Sequence, residues 1–284
     1  MNPRFLVGFP ALLALACGGG GTRREWEDDR FPSESVEVCA TAPLDPERPD
    51  RERCDPPKDL PSYDDLGGGL VDCSALDDYD VTLLEDFEWG VAQDWYISTD
   101  QTAAQVPPHN AKPVWAEPFL RCDSEWSLHV QGGPFTGWGG SFGKGLRPQI
   151  DGRDWDGVVI WARNVAATGS EGSLRVSVSD KWTDDKAREE RLDVVSGEVD
   201  EDLVCTPDIQ ESDPSNGCDK FGYQFAVNDT FRAYLVPFDE MRQGGWGMYR
   251  PELDLSEIWA VTVSYEKGLW DIWLDDIGFY RRKR

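Results

Sequence analysis

Ser173-Leu-Arg-Val-Ser-Val-Ser179 decides the fold. Leu174, Val176 and Val178 alternate with Arg175, Ser177 and Ser179, so one side of the segment is apolar and the other polar. A period of two is the signature of a strand with one buried face. An amphipathic helix would need apolar residues at three- and four-residue spacing, which this stretch lacks. Working outward, residues 126–131, 158–163, 230–237, 257–265 and 270–279 carry similar runs, with weaker ones near Phe87, Tyr96, Phe142 and Tyr223. Gly, Asp, Asn and Pro punctuate them, and no long amphipathic helix competes. Roughly ten strands in about 200 residues predict a single all-β domain, an antiparallel β-sandwich of jelly-roll type over residues 83–284. The polar, irregular stretch 180–220 reads as a loop.

The chain opens differently. Arg4 is the only charge before an apolar run from Phe5 to Ala16, too short to span a bilayer, so residues 1–16 read as a signal peptide. Ala14-Leu15-Ala16-Cys17 resembles the lipobox of bacterial lipoproteins, which implies a lipid on Cys17 and a place in the cell envelope. Leu15 sits one place later than that pattern prefers, and Ala14-x-Ala16 also suits ordinary secretion with Cys17 as a spare thiol. Gly18 to Gly21 then supply a flexible tether. The rest of 17–82 is rich in Asp, Glu, Pro and Arg, which predicts a largely disordered stalk.

Seven cysteines in an exported chain leave one unpaired, and acylation of Cys17 would remove it. The remaining six allow fifteen pairings; proximity suggests Cys39 with Cys54, Cys205 with Cys218, and therefore Cys73 with Cys122. Zinc is disfavoured, because no Cys-x-x-Cys pair exists and His109 and His129 are the only histidines. A formal charge of −26 excludes nucleic acid as a partner, since phosphate binding needs Lys and Arg to displace counterions. The same acidity leaves carboxylates available for a hard cation.

Leu84-Glu-Asp-Phe-Glu88, Gly137-Trp-Gly-Gly140, Trp155-Asp-Gly-Val-Val-Ile-Trp-Ala-Arg163 and Leu274-Asp-Asp-Ile-Gly-Phe279 stand in one order along the chain. Together they resemble the jelly-roll carbohydrate-binding modules of the family-eleven type and the related galactose-binding-like superfamily. Tyr234-Leu-Val-Pro-Phe238, Gly244-Gly-Trp-Gly247 and Leu253-Asp-Leu-Ser-Glu-Ile258 extend the resemblance. It implies non-catalytic binding of a polysaccharide or envelope glycan on one sheet. It also implies a structural calcium where the first strand meets the last, with Asp86, Glu88, Asp275 and Asp276 at the matching positions; the plainer reading is solvated turn acids.

Aromatic faces stack on the apolar C–H face of a sugar ring. Strand alternation puts Trp161, Arg163, Arg175, Ser177, Asp271 and Trp273 on the side away from the core, and with Tyr223 these are the candidate glycan contacts. Most tryptophans in a sandwich are core or loop anchors, and Trp138 and Trp246, set among glycines, are expected to cover bare backbone. The signatures of hydrolases, zincins and phosphate-binding loops are absent. His129 is expected to point outward and His109 to lie in a loop. A glycan-binding envelope lipoprotein is thus the leading expectation. A structural or protein-binding envelope component comes next, and a cryptic glycosidase using two of the 54 acids comes last.

Overall fold

The structure is a computed structural model that describes residues 71–88, 91–92, 95–111, 114–165, 172–187, 205, 217–227 and 229–284. The signal peptide, Cys17, the tether, the Cys39–Cys54 pair and most of the stalk lie outside the described residues. Among those described, the strands are β1 (Tyr79–Glu85), β2 (Val91–Ala92), β3 (Trp95–Thr99), β4 (Gln105–Val106), β5 (Val114–Trp115), β6 (Glu117–Arg121) and β7 (Ser124–Phe135). They continue as β8 (Gly140–Ile150), β9 (Gly157–Asn164), β10 (Ser173–Asp180), β11 (Phe221–Ala226), β12 (Arg232–Pro237), β13 (Ile258–Tyr265) and β14 (Gly268–Arg282).

These form the antiparallel jelly-roll sandwich. One sheet has seven strands along β12-β9-β14-β7-β4, with β1 added to β14 and β6 to β7; the other has five in the order β11-β10-β13-β8-β3. The two apolar faces meet between them. Val158, Ile160 and Ala162 of β9, Ile272 and Leu274 of β14, and Leu128 and Val130 of β7 face Leu174, Val176, Val178, Val261, Val263 and Phe142. Each fully buried aliphatic side chain contributes about 1.5–3 kcal/mol relative to exposure.

Residues 71–78 are a run of turns, and β1 begins at Tyr79, so the expected boundary at residue 83 falls inside a strand. Two disulfides occur among the described residues: Cys73 is bonded to Cys122, in the turn between β6 and β7, and Cys205 to Cys218.

Two irregularities place the chemistry. In β14 the register with β9 shifts between Asp275 and Gly278, and Asp276 takes the left-handed conformation, φ 42°. Neighbours on a regular strand point to opposite faces, but this bulge sends Asp275 and Asp276 toward the same guanidinium. In β13 an extra residue, Trp259, bulges between Ile258 and Ala260 opposite β10, while β8 carries its own irregularity between Gly145 and Ile150.

Candidate functional site

The outer face of the five-stranded sheet carries an open groove of about 440 Å³. Tyr96 of β3, Gly145 of β8, and Trp259 and Ala260 of β13 line it, with Arg147, Asp184, Asp185 and Lys220 among the polar groups around them. Glycine shapes this floor. A Cβ added to Gly143 would lie 2.6 Å from the Tyr96 hydroxyl, so the bare backbone there lets the phenol lie across the sheet. A Cβ added to Gly145 would meet nothing within 4 Å.

Lys220 reaches across the sheet, its Nζ donating to Tyr96 Oη (3.3 Å) and Thr262 Oγ1 (3.1 Å). Tyr96 Oη and Thr262 Oγ1 are themselves 2.9 Å apart. Burial alone would lower the Lys220 pKa, but Tyr96, Asp184 and Asp185 outweigh it and hold it above the ordinary lysine value. The groove therefore keeps a fixed ammonium, and its third N–H has no acceptor among the described residues. Trp259 is only 7% exposed, and its indole N–H is buried with no acceptor among the described residues. Arg147 stands over the Trp259 ring, 5.9 Å from its centroid. Asp184 braces its own loop, accepting from Ser179 Oγ (2.5 Å) and from the amides of Lys186 and Ala187. The groove thus presents the Tyr96 ring, the Lys220 ammonium and the Asp185 carboxylate to one occupant, with the nearly buried Trp259 beneath Arg147 in its wall.

The seven sequence candidates do not share a site. Arg175 and Ser177 do lie on the outer face of the five-stranded sheet, but Arg175 donates to the carbonyls of Arg242 (2.6 Å) and Lys220 (3.4 Å), tying down flanking loops. Tyr223 is opposite Val176 and packs on the core side, contrary to its expected place in the groove. Trp161, Arg163, Asp271 and Trp273 belong to the other sheet, so they cannot line one groove with Arg175. They point away from the core as alternation requires, yet Trp161 and Trp273 are each only 2% exposed. Neighbouring side chains pack against them. Arg121 lies 4.3 Å over the Trp161 ring, and His129 stacks on Trp273 at 4.0 Å. Asp271 binds His129 Nε2 (2.9 Å) and Gln131 Nε2 (3.2 Å). Burial alone would raise the Asp271 pKa, but these partners and Arg163 hold it below the usual carboxylate range.

His129 does face outward but is buried beside its cross-strand partner Trp273, and His109 accepts from the Thr99 amide. Trp138 and Trp246 cover less backbone than expected, being 53% and 47% exposed. Trp246 does lie against Gly244, and Asp219 pins its loop through the amides of Gly244, Gly245 and Trp246. Asp100 does the same for Gly137 and Gly139 beside Trp138.

The four carboxylates expected to hold calcium gather near the junction of β1 and β14, but around a guanidinium. Arg121 Nε donates to Asp275 Oδ2 (3.0 Å), and its Nη2 to Asp275 Oδ2 (2.9 Å) and Asp276 Oδ2 (2.5 Å). Ser124 Oγ lies 2.8 Å from Asp275 Oδ2 and 2.6 Å from Glu88 Oε1, and its single proton serves one of the two. Glu88 also accepts from the amides of Glu125 and Trp126, and Asp86 accepts from the Glu88 amide. Burial is the first cause raising the pKa of both Asp275 and Asp276, with Arg121 pulling each down. Calcium needs six to eight oxygens at about 2.3–2.6 Å. Here at least one oxygen of each carboxylate already accepts a hydrogen bond, and no group of three or more metal-ligating side chains occurs among the described residues. The residues do not fit the ion.

No protein-family model matches the chain, and no curated protein matches it in sequence. Solved structures show distant similarity. The family 11 carbohydrate-binding module of the cellulosomal cellulase Lic26A-Cel5E of Clostridium thermocellum is 15% identical, with a TM-score of 0.43 over 70% of this chain and 94% of that one. The Clostridium thermocellum family 11 module in complex with a β-1,3-1,4-mixed-linked tetrasaccharide gives 16%, 0.44, 70% and 94%. The CBM22-1 xylan-binding domain of Paenibacillus barcinonensis Xyn10C gives 12%, 0.36, 72% and 94%. Likeness at this level says nothing about the ligand.

Proposed function

We propose that this chain binds a polysaccharide, without cleaving it, in the groove across the outer face of the five-stranded sheet. The observation that carries the reading is the pairing of the Tyr96 ring with an unsatisfied donor on Lys220. Tyr96 and Trp259 line the same groove as Lys220, and both the Lys220 ammonium and the Trp259 indole have N–H groups without acceptors among the described residues. A sugar ring suits the first of these, offering an apolar face to Tyr96 and a hydroxyl oxygen to Lys220. The groove's volume lies within the range of small-ligand sites. Binding rather than hydrolysis follows from the acids. Asp184 is engaged by Ser179 and two amides, which leaves Asp185 as the single available acid among the described groove residues, where glycoside cleavage needs two.

The test is calorimetric titration of the intact protein and of Lys220→Met with polysaccharides. Methionine keeps much of the chain length and removes the donors. A hydrogen bond from a charged group contributes about 1.5–3 kcal/mol, so affinity should fall roughly 10- to 150-fold. Unchanged affinity in a folded Lys220→Met protein would place the ligand elsewhere. Silence of the wild type toward all polysaccharides would favour a protein-binding role.

The proposal includes export and anchoring through a lipid on Cys17. Its support is the apolar run, the lipobox-like Ala14-Leu15-Ala16-Cys17 and the odd cysteine count.

A further inference from the structure

We infer that Arg121 is a built-in cation of this fold, bound to the two acids of the last strand near its junction with the first, where the family resemblance implies calcium, so that the domain is indifferent to divalent metal. The inference is independent of the proposed glycan groove, which lies on the other sheet.

Three features carry it. First, the bulge at Asp275–Ile277 and the left-handed Asp276 turn two consecutive acids toward one side chain, and that side chain is Arg121. Its Nη2 bonds both acids and its Nε returns to Asp275, so charge-assisted hydrogen bonds from one guanidinium neutralise the pair. Second, the face of the guanidinium lies on the Trp161 ring at 4.3 Å, with Phe231 at 5.7 Å. An arginine gains from an aromatic face, whereas calcium seeks oxygen alone. Third, a disulfide at the next residue holds the backbone of Arg121 in place. Arg121 ends β6, and the next residue, Cys122, is bonded to Cys73 just ahead of β1. The remaining carboxylates need no metal, because Glu88 accepts from two amides and Asp86 caps the Glu88 amide.

The experiment is a thermal melt of the full chain in chelator and in millimolar calcium, for wild type, Arg121→Gln and Asp276→Asn. The wild type should melt at the same temperature in both. Arg121→Gln leaves buried carboxylates without their cation and should melt roughly 6–20 °C lower. Calcium should recover part of that loss, because an ion can now take the vacated place. Asp276→Asn keeps the guanidinium, so it should melt somewhat lower and ignore calcium; it reports on the cluster even where Arg121→Gln fails to fold. A wild type that loses stability in chelator overturns the inference, as does Arg121→Gln melting like wild type. An Arg121→Gln protein that melts low and ignores calcium reduces Arg121 to packing and also overturns it.

Discussion

Gly145→Val separates the groove from the fold. Gly145 is exposed on β8, opposite Ala260, and its ideal Cβ has no atom within 4 Å. Its backbone does not take a positive φ, so a valine adopts ordinary strand geometry there. Glycine inside a strand costs roughly 0.5–1 kcal/mol relative to alanine, and a β-branched residue suits a pleated surface better still. The melting temperature should therefore hold or rise by about 1–4 °C. The added isopropyl group stands in the space a ligand would occupy, and overlap cannot be relieved by moving the backbone of a strand paired on both sides. Polysaccharide affinity should fall at least tenfold, about 1.4 kcal/mol. Gly143→Ala, two residues away, is the contrast: its methyl would sit 2.6 Å from the Tyr96 hydroxyl that Thr262 and Lys220 hold, so it should cost stability as well as binding. The assays are a thermal melt and affinity electrophoresis in polysaccharide-containing gels. A stable Gly145→Val protein that is retarded like wild type would refute the assignment of the groove.

Three further outcomes follow from the same geometry. Asp275 has its pKa raised by burial and by Asp276, so the stability it contributes is full below the ordinary carboxylate pKa of about 4 and is lost as pH rises toward neutrality. Melting temperature should fall over that window, and Asp275→Asn should flatten the fall in a pH series of melts; an equally steep fall in the variant would clear Asp275 of responsibility. Trp273→Ala should cost about 3–5 kcal/mol in chemical denaturation, because the ring is buried against His129, while polysaccharide affinity per folded molecule stays unchanged; lost affinity in the folded fraction would return Trp273 to the ligand site. Cys17→Ala should release the protein from the membrane fraction on cell fractionation, and retention there would mean a different anchor.

The alternation in β9, β10 and β14 is legible in the sequence, and it correctly tells which side chains leave the core. It does not tell which sheet each strand joins, because period two marks the faces of a strand and not its neighbours. Alternation alone therefore groups Trp161 and Trp273 with Arg175, though they lie on different sheets. Nor does it reveal what covers an outward face: Arg121 lies on Trp161, and β6 with its Pro118 does not read as a strand. The four acids stand out as a group, but the cation among them does not, since Arg121 is 154 residues away in sequence from Asp275. The groove is hidden for a similar reason, being assembled from β3, β8, β13 and the approach to β11. Trp259 sits on a bulge, where the alternation that reveals other positions fails. One signal is present: in Phe142-Gly-Lys-Gly-Leu146 the glycines alternate with Phe142, Lys144 and Leu146, marking a strand with a bare outer face.

A glycan array spanning plant, bacterial and host polysaccharides, probed with the intact protein beside Lys220→Met, tests the central claim most directly. The account predicts that at least one polysaccharide class retains the wild type and that the signal falls at least tenfold in Lys220→Met. Silence across the array, or equal retention of the two proteins, would contradict it.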